Sequence, residues 1–273
     1  MGRELKRLKR RKDVIARIDT LLEQGPTTLV IHYSCESFYD KTDGKTPRVT
    51  SIAVRNLASG QTDSFSIHQI AEEQHVEFAK IDESYDALER QMLDRFFEFL
   101  RTRQHCNWIH WNMRDVNYGF AAIEHRYRVL GGVPIQVSED KKFDLSRALV
   151  DMFGVGYIGH PRLESLIELN KMTARDFLTG KQEADAFDRK EFVKLHQSTL
   201  RKVDTLSNIF ERTSNKSLKT KATWAEQYGF TPAVIAEWLK EHWFVTFLIA
   251  GSGVLTFVVR AFDLWERFLG KLY

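Results

Sequence analysis

Residues 28–40 read TLVIHYSCESFYD. The apolar run Leu29-Val30-Ile31 follows the breaker pair Gly25-Pro26 and reads as a buried strand. It runs into a short polar tip, Ser34-Cys35-Glu36-Ser37. A carboxylate two residues after a serine, at the end of a buried strand, is the feature around which the rest of the chain is organised.

Two further strand signals follow, RVTSIAVRNL (48–57) and QTDSFSIHQ (61–69), joined through Ala58-Ser59-Gly60 as a hairpin. Upstream, residues 1–24 predict one helix, with Leu5, Leu8, Ile15, Ile18 and Leu22 at helical spacing. Downstream come a helix over 86–103, a strand NWIHW (107–111) and a helix over 115–131. The stretch VPIQVSEDKKFDLSRAL (133–149) predicts a fifth strand leading into a helix, and 160–213 reads as helical throughout. Strands first, then alternating helix and strand, predict an α/β fold with a mixed sheet flanked by helices. A basic polar linker, RTSNKSLKTKAT, precedes Thr231-Pro232, a cap followed by proline at the first helical position.

The chain has 273 residues, 43% hydrophobic and 28% charged, enough for one large domain with a sizeable core plus something smaller. Forty basic residues nearly balance 37 acidic ones, so the net charge of +3 says little. Their distribution says more: MGRELKRLKRRK concentrates positive charge at the amino terminus, suited to phosphates, to an anionic membrane face, or simply to a solvated helix end. Only Cys35 and Cys106 occur, without metal-ligand spacing, which fits a reducing compartment. The amino-terminal basic run leads into an amphipathic helix, not the apolar core of a secretory signal.

From about residue 27 to 211 the chain resembles the DEDD family of 3′-to-5′ exonucleases, in a degenerate form. The resemblance implies a ribonuclease H-like fold and, in intact members, two divalent metals held by four carboxylates. YSCES matches the first motif, normally Asp-x-Glu, with Ser34 in the aspartate place and Glu36 kept. IHWNMRDVNYGF resembles the second, with Asn112 leading and Asp115 the counterpart of the aspartate, one residue short of the usual spacing. KKFDLSRAL resembles the segment that follows, through Asp144. HQSTLRKVD supplies His196, but Arg201 stands where the last aspartate belongs and Asp204 comes three residues later. An arginine in that pocket repels a divalent ion and attracts a phosphate. The resemblance therefore implies a catalytically inactive fold that binds a strand through Ser34, Glu36, Trp111, Asn112, Arg114, His196, Arg201 and Lys202, with no resident cofactor. Were activity retained, Glu36, Asp115, Asp144 and Asp204 would be the ligands for magnesium. Trp108, Trp111 and Tyr118 are candidate stacking platforms, although Trp108 is expected to face the core from its strand.

The carboxy-terminal run WFVTFLIAGSGVLTFVV (243–259) carries no charge. Trp243 and Trp265 lie 22 residues apart, roughly 33 Å at ~1.5 Å rise per residue. That separation matches two interfacial belts, and a membrane span over about 243–262 is expected, with a buried core helix as the alternative. Thr246, Gly253, Thr256, Arg260, Asp263 and Arg267 follow heptad register along one seam, interrupted by Ile249. Such a seam suits either a pore in an oligomer of about four copies or close packing of a tail anchor. The expected division is a basic helix (1–25), an exonuclease-like domain (26–211), a linker (212–230) and a carboxy-terminal helix (231–273). Positive charge in the linker and at Lys240 places the amino-terminal domain on the cytoplasmic side of a bacterial inner membrane.

This architecture is similar to the membrane effectors of nucleotidyltransferase-linked anti-phage systems, including the Hailong type, in which DNA oligomers hold a channel closed. It implies a single-stranded oligonucleotide ligand, DNA favoured, a membrane partner, a homo-oligomer, and a nucleotidyltransferase that makes the ligand. A membrane-tethered 3′-to-5′ exonuclease and a protein-binding scaffold are the other two classes.

Overall fold

The computed structural model describes residues 2–36, 46–114, 117–228 and 232–241, with residues 247 and 260. The chain forms two compact units, 11–222 and 1–10 together with 223–273. Helix α1 (Arg3–Glu23) ends where Gly25-Pro26 denies it a further turn. Then follow β1 (Thr28–Cys35), β2 (Val49–Asn56), β3 (Thr62–Ser66), α2 (Ile67–Glu73), α3 (Tyr85–Arg101) and β4 (Asn107–His110). The larger unit is completed by α4 (Phe120–Val129), β5 (Lys142–Asp144), α5 (Leu145–Phe153), α6 (Arg162–Leu169), α7 (Gly180–Asp188) and α8 (Phe192–Ser214).

The five strands form one mixed sheet in the order β3-β2-β1-β4-β5. β2 pairs antiparallel with β1 and β3, while β1, β4 and β5 run parallel. Alternation along the strands feeds two cores. Leu29, Ile31 and Tyr33 of β1 and Trp108 of β4 pack on one face with α2, α3 and α4. Val30, Ile109 and Phe143 pack on the other with α1, α5, α6 and the second half of α8, whose Phe192 and Leu195 join the first core. Trp108 is fully buried and edge-on to Phe120, so it serves the core and is no stacking platform. Full burial of side chains of this size is worth about 1.5–3 kcal/mol each, and it holds the strand ends in place.

Four stretches differ from the sequence reading, the first being 160–213, expected to be helical throughout but broken over 170–179 between α6 and α7. The strand expected to reach Gln69 ends at Ser66, because Ile67, Ile70 and Ala71 bury together as one face of α2. The helix expected from Asp115 begins at Phe120. Gly119 sits at φ +157, and a Cβ there would lie 2.6 Å from the Met113 carbonyl carbon, so the loop closes on a glycine before the helix starts. The linker is tied down over its middle. Asn170 donates to the Lys219 carbonyl (3.0 Å) and accepts from its amide (2.8 Å), Lys221 N donates to the Tyr157 carbonyl (2.7 Å), and Leu218 is buried.

In the smaller unit, α9 (Trp224–Tyr228) and α10 (Pro232–Glu241) accompany the first residues of α1. The Leu5 amide donates to Glu237 (3.1 Å) and Arg7 to the Glu226 carbonyl (2.6 Å). Among the described residues no helix is long and apolar enough to cross a membrane. The charge-free run 243–259 lies outside them apart from the exposed Phe247, as do Thr246, Gly253, Thr256, Asp263 and Arg267 of the expected seam; Arg260 is helical and exposed. The expected carboxy-terminal span therefore has no counterpart among the described residues.

Candidate functional site at the carboxyl edge of the sheet

Because β1, β4 and β5 are parallel, their carboxyl ends share one edge of the sheet. That edge carries Ser34 and Glu36, then Asn112 and Arg114, then Asp144. Sequence positions far apart are thus brought to one rim by topology alone.

At the end of β1 a bulge between Ser34 and Cys35 breaks the pairing with β2. Glu36 stays on the sheet, its amide donating to the Arg48 carbonyl (2.8 Å). Its carboxylate, in a residue only 7% exposed, is clamped by Arg48: Nε reaches Oε2 at 3.2 Å and Nη2 reaches Oε1 at 3.0 Å. The same guanidinium lies over Tyr85 (4.5 Å) and Phe187 (4.9 Å), which fix its plane. Beside this pair, the buried Ser34 hydroxyl has no hydrogen-bond partner, while its carbonyl accepts from Thr50 Oγ1 (3.1 Å). Two residues back, the His32 Nε2 is also buried without a partner, and burial together with nearby Lys202 pushes that imidazole well below its ordinary pKa.

Helix α8 brings Thr199 against Ser51 of β2, hydroxyl to hydroxyl at 2.7 Å. Lys202, one step round the helix, is buried and paired with Glu183 of α7 (2.7 Å), which also accepts from Ser198 (2.8 Å). Lys202 is thereby committed inside the fold instead of being offered to solvent. Arg201 takes a different direction from the one its motif position implies. Its Nε donates to the Arg175 carbonyl (2.9 Å) and its Nη1 to Asp204 (2.9 Å), and Asp204 lies 3.8 Å from Arg55. Arg55, Asp176, Arg201 and Asp204 line an open pocket of about 350 Å³. His196 is buried on α8 beside His68 of α2, ring centres 5.0 Å apart. Burial, then the neighbouring imidazole, brings its pKa down to about 4.

At the ends of β4 and β5 the arrangement is more open. Asn112 adopts φ +56, a left-handed conformation that asparagine tolerates. Its amide donates to Asp144 Oδ1 (3.2 Å), and the same oxygen caps α5 by accepting from the Arg147 amide (3.3 Å). Arg114, half exposed, reaches Asn112 Oδ1 (2.8 Å) and Asp144 Oδ2 (2.9 Å). Inside them His110 is buried, accepting from the Met113 amide (3.2 Å), and burial holds its pKa down to about 4. Trp111 is half-buried against the second core, and Tyr118 stacks on Tyr33 (4.6 Å). Asp115 lies outside the described residues.

The structure thus gathers Ser34, Glu36, Asn112, Arg114 and Asp144 at one edge. It pairs Arg201 with Asp204 and sets His196 beside His68, and it buries Lys202 with Glu183 close to the end of β1. Reasoning from sequence missed Arg48, which sits twelve residues from Glu36 across a bulged hairpin, and Glu183, whose helical surroundings carry no motif. Nor do the described residues fit the metal pair that the resemblance implies. Glu36 is occupied by Arg48, Asp144 caps a helix and meets Arg114, and Asp204 meets two arginines. No group of three or more histidine, cysteine or carboxylate side chains among the described residues is arranged to hold a metal ion. Comparison with protein-family models, with curated proteins and with solved structures finds no match.

Proposed function

We propose that the 11–222 unit is a ribonuclease H-like domain that holds a single-stranded oligonucleotide at the carboxyl edge of its sheet without cutting it. The observation that carries this reading is the Glu36–Arg48 clamp. A carboxylate already neutralised by a fixed guanidinium attracts no second cation, and the edge offers arginine to a phosphate where a nuclease offers metal. The strand order, with β2 alone running against its neighbours, supports the fold assignment. The half-exposed Arg114 is the side chain best placed to exchange its protein partners for a phosphate. Through the charge-free segment 243–259 the bound strand would bias an oligomeric membrane pore, acting as an anti-phage effector; this extension rests on the sequence pattern of that segment.

Binding of the detergent-solubilised full chain to a labelled short single strand, with magnesium and with chelator, tests the reading. The expected result is an intact strand and affinities within about twofold of each other, falling steeply as salt is raised. Cleavage confined to the magnesium sample, and lost on Glu36→Ala, would make the protein a tethered exonuclease. Absence of binding even at low salt would make it a scaffold.

A further inference from the structure

His68 and His196 stand ring to ring and have a chemistry of their own. His68 projects from α2 and His196 from α8, with 9% and 7% of their surfaces exposed. The rings are tilted 49° with centres 5.0 Å apart. Each ring carries a buried nitrogen without a hydrogen-bond partner, Nδ1 of His68 and Nε2 of His196. Two such atoms on touching rings are an anomaly, because buried polar atoms in folded proteins are nearly always satisfied.

We infer that His68 and His196 form a two-histidine site for a borderline divalent cation, of the zinc, nickel or copper class. Metal–imidazole bonds of about 2.0–2.1 Å, at a near-tetrahedral angle, set two ring centres about 5 Å apart. The observed separation is compatible with an ion held between the two rings. Imidazole nitrogen suits these ions, whereas magnesium and calcium prefer oxygen. Phe78 stands edge-on to His68 and limits access on that side.

Calorimetric titration of the full chain with zinc, nickel and magnesium tests this. One equivalent of zinc or nickel should bind, magnesium should not, and His68→Asn and His196→Asn should each weaken binding at least about tenfold. His105→Asn, remote and on an exposed turn, should leave it unchanged. Because the asparagine variants change a buried pair, copper electron paramagnetic resonance on the unmutated chain provides an independent reading. Coupling to two imidazole nitrogens is expected. A spectrum with one nitrogen or none, or zinc binding that survives both substitutions, would overturn the site.

Discussion

Two arginine–carboxylate pairs sit at the same edge of one sheet, and they are built for different ends. Glu36–Arg48 is enclosed, with side-chain exposures of 9% and 30%, and its guanidinium lies over two aromatic rings. Asp144–Arg114 has its carboxylate at 11% and its arginine at 50%. The first arginine has carboxylate and rings to keep it in place. The second is held by two polar partners on a surface where water competes. Equal charges at equal separation thus give a permanent neutralisation at one strand end and an exchangeable cation at the other.

The largest break of this comparison is Arg48→Ala. It strands a largely buried carboxylate and strips contacts from Tyr85 and Phe187, and is expected to cost about 3 kcal/mol. The paired change Glu36→Gln with Arg48→Met should recover much of that loss in urea denaturation, since no unpaired charge remains. A loss in the double variant equal to the sum of the losses in Glu36→Gln and Arg48→Met alone would mean the pair is not coupled.

Acid acts next, at the β4 end. His110 has a folded pKa of about 4 against an unfolded value near 6.5, so the unfolded chain takes up the proton first. Stability is then full above pH 6.5 and drains away as pH falls toward 4, by about 2 kcal/mol at pH 5. His196, at about 4, adds a loss of the same sign. Urea midpoints at pH 7 and pH 5 should separate accordingly, and His110→Gln should flatten part of the difference. A flat profile in the unmutated protein would show that neither imidazole is held neutral.

Arg114→Ala should be the mildest for the fold, costing about 1 kcal/mol, because the carboxylate it leaves keeps the Asn112 and Arg147 amides as donors. Its mark should be on strand affinity: a loss of about tenfold and a salt dependence shallower by about 0.7. A large loss of stability with unchanged affinity would reverse the roles assigned to the two pairs.

Much of the sheet was legible in the sequence because periodicity and turn residues are local. Leu29 to Ile31, the Ala58–Gly60 turn and the spacing along α3 depend on near neighbours. The site was legible only in part, because its electrostatics are not local. Ser34 and Glu36 stand in a readable motif, but the partner that neutralises Glu36 arrives from another strand across a bulge. The helix α8 shows the limit most sharply. A motif alignment assigns the family position to Arg201, yet one residue along a helix is a turn of about 100°. The inward side chain is Lys202, already paired with Glu183, while Arg201 faces a lateral pocket. Polar composition likewise marked 212–223 as linker, since Asn170 and Tyr157, which bind Lys219 and Lys221, lie 49 and 64 residues upstream.

That fastening has a consequence for reach. Residues 215–222, eight in number, would span roughly 26 Å if free to extend at ~3.3 Å per residue. With Lys219 and Lys221 bonded to Asn170 and Tyr157, none of that length is slack. Up to residue 221 the chain therefore belongs to the 11–222 unit in its bonding as well as in its sequence.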